Sequence, residues 1–125
     1  MVYEFAVTGK PIPQGSLRHI GNGRLIHSRD LTEWRKRVAK IVREVTDAKI
    51  DEPVVVDVLF VLPKPKTVKR SLPTTPPDLD KLQRAIGDAL SVDCDFLTDD
   101  ALIVEWHSRK IYGEAGCLIR VITGL

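Results

Sequence analysis

The run Val54-Val55-Val56-Asp57-Val58-Leu59-Phe60-Val61-Leu62, opened by Pro53 and closed by Pro63, limits the possible folds more than any other stretch of the chain. Valines and an aromatic ring in such density suit a strand, because stiff β-branched side chains pack well on a pleated surface and lose freedom in a helix. Apolar residues on nearly both faces predict a central strand covered on each side. The rest of the chain must then pack around it. With 125 residues, 43% of them hydrophobic, the chain has the size of one globular domain with a single core, taken as residues 1–125.

The flanking segments read as alternating strand and helix. Val2 to Thr8 sets Tyr3, Phe5 and Val7 against Val2, Glu4 and Ala6, the period of a half-buried strand. Asp30 with Glu33 resembles a capping box, and Leu31, Trp34, Val38, Ile41, Val42 and Val45 follow at helical spacing, which predicts a helix from Leu31 to Val45. After Pro76-Pro77, residues Leu79, Leu82, Ile86, Ala89 and Leu90 share one helical face, with Asp78 at the N-cap position because a residue after proline-restricted backbone starts the turn. Ala101 to Tyr112 and Cys117 to Thr123 read as two strands of a hairpin turning over Gly113-Glu114-Ala115-Gly116. Two stretches, Gly9 to Arg29 and Pro63 to Pro73, are rich in Gly, Pro and cations and read as basic loops. This order predicts a small α/β domain of the α+β type: a mixed β-sheet with two principal helices.

Several function classes drop out. Cys94 and Cys117 lie 23 positions apart with no Cys-x-x-Cys spacing, so both read as packing residues rather than as a disulfide or thiolate metal site. His19, His27 and His107 fit no zinc spacing. Asp93-x-Asp95 lacks the mid-loop glycine and terminal glutamate of a calcium loop. Trp34 and Trp106 sit in apolar patterns and read as core residues. Met1 to Phe5 has none of the marks of a signal peptide, and no apolar stretch approaches membrane-spanning length, so a cytoplasmic protein without a membrane partner is expected.

Charge is the informative quantity. Residues 76–100 hold seven carboxylates against two cations, a net of −5, whereas residues 1–75 hold fourteen cations against eight carboxylates, a net of +6. Carboxylates gathered so closely repel one another unless a cation sits among them, and the basic surround suits a polyanion. At the helix entry the side chains of Asp78 and Asp80 can converge, and Asp99-Asp100, at a loop-to-strand boundary, can add a third oxygen ligand. Such an oxygen-only set matches Mg²⁺, or Mn²⁺ in its place, in metal-assisted phosphodiester hydrolysis. Arg84, one turn beyond Asp80, would offset charge on the phosphate. Arg18 and Arg24 in the first basic loop, Lys64, Lys66, Lys69 and Arg70 in the second, and Lys81 are the candidate DNA-binding cations. Asp88, i+4 from Arg84, reads equally well as a partner in a structural ion pair.

The segment Pro77-Asp78-Leu79-Asp80-Lys81-Leu82-Gln83-Arg84-Ala85-Ile86-Gly87-Asp88-Ala89-Leu90, followed by Phe96-Leu97-Thr98-Asp99-Asp100-Ala101-Leu102-Ile103-Val104, resembles the RusA family of Holliday junction resolvases. The resemblance implies a homodimeric, Mg²⁺-dependent endodeoxyribonuclease of bacterial or phage origin. Such an enzyme resolves four-way DNA junctions in recombination and repair by symmetric cutting that leaves 5′-phosphate ends. It also implies catalytic, metal-holding roles for Asp78, Asp80 and Asp100. Two positions depart from the family pattern: Lys81 stands where an asparagine is usual, and Arg84 where the family carries a catalytic lysine. Arginine keeps the positive charge but does not readily release a proton, so water would have to protonate the leaving oxygen. Two other readings stay open on the residues alone, a non-catalytic nucleic-acid-binding module and a metal-dependent nuclease for flap or fork DNA.

Overall fold

A computed structural model describes residues 1–15, 17–19, 25–27 and 29–125, with the backbone path alone for 17–19 and 25–27. Strand β1 (Val2–Thr8) is followed by two short antiparallel strands, β2 (Leu17–His19) and β3 (Leu25–His27). Helix α1 (Arg29–Val45), strand β4 (Val54–Leu62), helix α2 (Leu79–Asp88), strand β5 (Ile103–Tyr112) and strand β6 (Gly116–Ile122) complete the chain. The first basic stretch, read as a loop, thus contains a small β-ribbon. A single π turn, Ala89–Asp93, extends α2, and a 3-10 turn, Asp100–Leu102, leads into β5.

The main sheet has the order β1-β6-β4-β5. β4 is central, as its composition predicts, and pairs in parallel with β5 and antiparallel with β6. Its burial alternates along its length, with Val54, Val56, Val58, Phe60 and Leu62 buried and Val55, Asp57, Leu59 and Val61 half-exposed. The expectation of a strand covered on both sides is therefore overturned. Both helices and the core lie against one face, and the other is open.

The predicted hairpin is corrected too, because β4 lies between β5 and β6. Residues 113–115 instead carry the chain over the end of β4, where the Gly113 N–H donates to the Leu62 carbonyl at 2.9 Å. A side-chain carbon on Gly113 would stand 2.9 Å from Val61 Cγ1, so the short crossing needs glycine. Glycine at this turn signals a close approach between chain segments as well as it signals a hairpin.

Leu31, Trp34, Val38 and Val42 of α1 and Leu82, Ala85 and Ile86 of α2 meet the inner sheet residues Phe5, Val7, Cys117, Ile119 and Val121 in one cluster. Phe96 seals one end, with its ring edge-on to Tyr3 and Phe5 at centroid distances of 5.2 and 5.5 Å. Helix α1 begins at Arg29, so Asp30 lies within its first turn, and Glu33 pairs with Arg29 at 3.0 Å instead of closing a capping box. Cys117 is buried in the core, which pushes its thiol up to about 12, while the half-buried Cys94 donates its S–H to the Ala89 carbonyl. Both cysteines pack, as their spacing suggests. No helix among the described residues is long and apolar enough to cross a membrane.

Candidate active site

Helix α2 positions the acidic window. Its apolar stripe, Leu82, Ala85 and Ile86, is fully buried, which turns Asp80, Gln83, Arg84 and Gly87 toward β5 and the 3-10 turn. A groove of about 180 Å³ runs along this face, lined by Asp80, Gln83, Arg84, Gly87, Asp100, Ile103 and Trp106. Asp80, from the helix, and Asp100, from the turn, both line it. A side-chain carbon on Gly87 would lie 3.9 Å from Asp100 Cβ and 3.7 Å from Trp106 Cζ2, ordinary contact distances that show how close the helix runs to the turn and to β5. Gly87 comes seven positions after Asp80, about 10 Å of helix at 1.5 Å per residue, and Arg84 lies between them on the same helix.

Asp78 stands outside this groove, at the N-cap of α2 with extended backbone. Its carbonyl accepts from the Leu82 N–H at 3.1 Å, but its carboxylate makes no capping bond. The cap role expected from its position is thus filled by backbone geometry alone. Among the described residues no three His, Cys, Asp or Glu side chains stand close enough together to hold one ion. The structure brings Asp80, Arg84 and Asp100 to one groove and leaves Asp78 outside its lining.

Asp100 holds its proton more tightly than an ordinary aspartate. Burial is the main cause, followed by a hydrogen bond with Asp99 and the charges of Asp88 and Asp99. Asp99 in turn accepts from the Ala101 N–H at 2.8 Å, which fixes the turn that presents Asp100. Asp88 is therefore part of the site's electrostatics. It pairs with Arg35 of α1 at 3.7 Å, and Arg35 also makes a two-pronged bond to Asp93 at 2.7 and 3.0 Å. Hydrogen bonding to Asp93 is the largest influence holding the Arg35 guanidinium more firmly protonated than usual. The sequence offered Arg84 as the partner of Asp88. The structure gives that place to Arg35, from a helix more than fifty residues earlier. Trp106 is a second residue that sequence reading set aside, since the structure makes it part of the groove wall rather than fully buried core. Its alternating position on β5 held the signal, because the partner face of that strand is polar.

The cations fall into separate groups. Lys64 and Arg70 line a cleft beside Pro77, whereas Lys66 and Lys69 are exposed on the same loop and do not line it. Lys81 lies against Gly15 of the first basic stretch, and its carbonyl accepts from the Gln14 N–H at 2.9 Å. Arg18 belongs to β2, of which only the backbone is described, and Arg24 lies outside the described residues.

A small mixed-sheet domain with a groove lined by two carboxylates and an arginine on one helix face and a cation-lined cleft at that helix's entry defines a protein suited to a polyanion. Comparison with known families makes this specific. The family model described as endodeoxyribonuclease RusA matches residues 7–122, nearly the whole chain, and the protein belongs to that family. It is also 31% identical, over 128 aligned positions, to the uncharacterized protein YqaN of Bacillus subtilis (strain 168), an alignment covering 89% of this chain and 88% of that one. Family membership implies a hydrolase that cuts DNA internally.

Proposed function

We propose that the protein is a Mg²⁺-dependent endodeoxyribonuclease that resolves Holliday junctions by symmetric phosphodiester hydrolysis, acting as a homodimer with one site per subunit. Asp78, Asp80 and Asp100 are the metal-holding carboxylates and Arg84 the cation that offsets phosphate charge. One observation carries the reading above all others: Asp80, Arg84 and Asp100 line a single groove. The carboxylate of Asp78, two positions before Asp80 and without a capping bond, adds to it.

The donor set suits the ion. It is all oxygen, and the charges of Asp88 and Asp99 add to the desolvation that raises the proton affinity of Asp100, an arrangement that favours a bound cation. Mg²⁺ characteristically uses one or two carboxylates and completes its shell with water and substrate phosphate, so a ready-made three-carboxylate cage is not required. When bound, the ion supplies a Lewis acid that activates water and polarises the phosphate. Arg84 then meets the charge that builds on the phosphate oxygens during displacement. Because arginine keeps its proton, the leaving 3′ oxygen takes one from water. The apolar wall formed by Trp106 and Ile103 shields one side of the groove, which strengthens these charge interactions. Lys64, Lys66, Lys69, Arg70, Lys81, Arg18 and Arg24 are the proposed DNA-backbone contacts.

A labelled synthetic four-way junction, incubated with the protein with and without Mg²⁺ beside flap, fork and linear duplex controls, tests this reading. Paired nicks in the junction that require the ion and vanish in Asp80→Asn support it. Binding without any cutting points to a non-catalytic module, and faster cutting of flaps or forks reassigns the substrate.

A further inference from the structure

The second basic loop does more than carry loose cations. Between the end of β4, the loop 63–77 and Tyr112 of β5 lies a cleft of about 280 Å³. Lys10, Lys64 and Arg70 line it, and no carboxylate does. Five of its lining residues are proline, which has no N–H to donate, so lysine and arginine side chains are the main donors facing an anion there. Arg70 is already fixed. Its Nε donates to the Tyr112 hydroxyl at 3.1 Å and one Nη to Thr75 Oγ1 at 3.2 Å, using two of its five N–H groups and leaving the rest for a ligand. Lys64 Nζ lies 5.8 Å from the centre of the Tyr112 ring. Lys110 Nζ ties the opposite wall to β5 by donating to the Thr75 carbonyl at 3.1 Å and the Pro77 carbonyl at 2.8 Å. Pro77 is followed directly by Asp78.

We infer that this cleft is a binding subsite for one phosphodiester of the DNA strand that leads into the acidic groove, with Lys10, Lys64 and Arg70 on the phosphate and Tyr112 as a positioning residue for Arg70. The inference rests on the proposed DNA-cutting function and extends it to residues that carry no role there, Lys10, Tyr112 and Lys110. Charge selects an anion. The proline rings and Leu62 then favour a diester, whose sugar carbons on either side can use apolar walls, over a free phosphate ion, whose oxygens all need polar partners. A phosphate held beside Pro77 orders the backbone at the entry of α2, the kind of anchoring contact that sets register without reading sequence.

The test is equilibrium binding of the full chain to a labelled four-way junction, without Mg²⁺, over a range of salt. Each lost phosphate contact lowers the steepness of log affinity against log salt by about 0.9. Lys10→Gln and Arg70→Gln should each show that drop. Lys49→Gln should not, since Lys49 pairs with Asp95 at 2.7 Å near the other end of β4. That strand is nine residues long, so about 26 Å separates the two regions. Tyr112→Phe, which keeps the ring and removes the acceptor, should weaken binding several-fold less than Arg70→Gln. Wild-type steepness in both Lys10→Gln and Arg70→Gln overturns the inference, as does an equal drop in Lys49→Gln. Inorganic phosphate, at matched ionic strength, should displace the junction more readily from wild type than from Lys10→Gln, because it competes for the same donors. Because metal is absent, failure of wild type to cut DNA leaves the binding result standing, and a cutting enzyme with unchanged steepness in the variants refutes the cleft alone.

Discussion

The groove along α2 and the cleft at its N-terminal entry are built from opposite materials. The groove is walled by regular structure: a helix whose other face is fully buried, a 3-10 turn closed by Asp99, and the first residues of β5. The cleft is walled by a proline-rich loop that a handful of side-chain bonds, from Arg70 and Lys110, tie to the sheet. Chemistry needs atoms held to a fraction of an ångström, which rigid elements provide, whereas gripping a polymer backbone tolerates a softer wall. Charge divides the same way, with two carboxylates and one arginine lining the first region and three cations with no carboxylate lining the second. The two regions should therefore answer differently to mutation.

The sharpest contrast is expected from Asp80→Asn and Asp100→Asn. Each should abolish junction cutting while leaving junction affinity within a few-fold of wild type, as read by a nicking assay beside an anisotropy titration. Equal losses of cutting and binding would break the division between the two regions. Arg84→Ala should lower the single-turnover cutting rate by a factor of about 10²–10³, the usual effect of removing one preorganised charge partner from a transition state. Arg84→Lys should recover part of it, because positive charge rather than proton donation is the function at issue.

Stability effects are smaller and concern the belt that holds the acidic region. Arg35 is largely buried and bonds Asp93 and Asp88 together. Arg35→Gln leaves Asp88 and Asp93 without that counter-charge, and should lower stability by about 1–3 kcal/mol in denaturant unfolding. Asp100→Asn works in the other direction. The aspartate's proton affinity is raised in the folded state, so ionising it costs folding free energy. That penalty is absent below the unfolded-state value of about 3.9 and complete once pH has passed the higher folded-state value. Metal-free Asp100→Asn should thus melt slightly above wild type at neutral pH and level with it in acid. The least perturbing change is Glu105→Gln. Glu105 hydrogen-bonds His107 at 2.6 Å and is the first cause of that imidazole's raised proton affinity. Its loss should return His107 toward an ordinary histidine in an NMR titration and leave cutting unchanged.

Much of this architecture is legible in the residues. The β-branched run Val54–Leu62 is the central strand to the residue, and the helical spacing of Leu79, Leu82 and Ile86 places α2 and turns Asp80 and Arg84 outward. Composition could not tell a strand covered on both faces from one whose second face is half-exposed, because Val55, Leu59 and Val61 are apolar in either case. Nor could Gly113 and Gly116 distinguish a hairpin from a crossing over β4, since both demand a compact turn. Long-range pairings were the least accessible. Nothing local in Arg35 or Asp88 announces their ion pair, and only the packing of α1 on the end of α2 brings them together. Trp106 escaped for a similar reason, because its neighbour across the groove is decided by how α2 docks.

The most direct measurement is the cutting of a synthetic four-way junction by the protein, followed strand by strand as Mg²⁺ is added. Paired nicks on opposing strands that appear only with the ion, leave 5′-phosphate ends and disappear in Asp80→Asn are the expected result. Nicks of undiminished rate in Asp80→Asn, or an intact junction at saturating protein and Mg²⁺, would contradict the assignment of the α2 groove as the centre of hydrolysis.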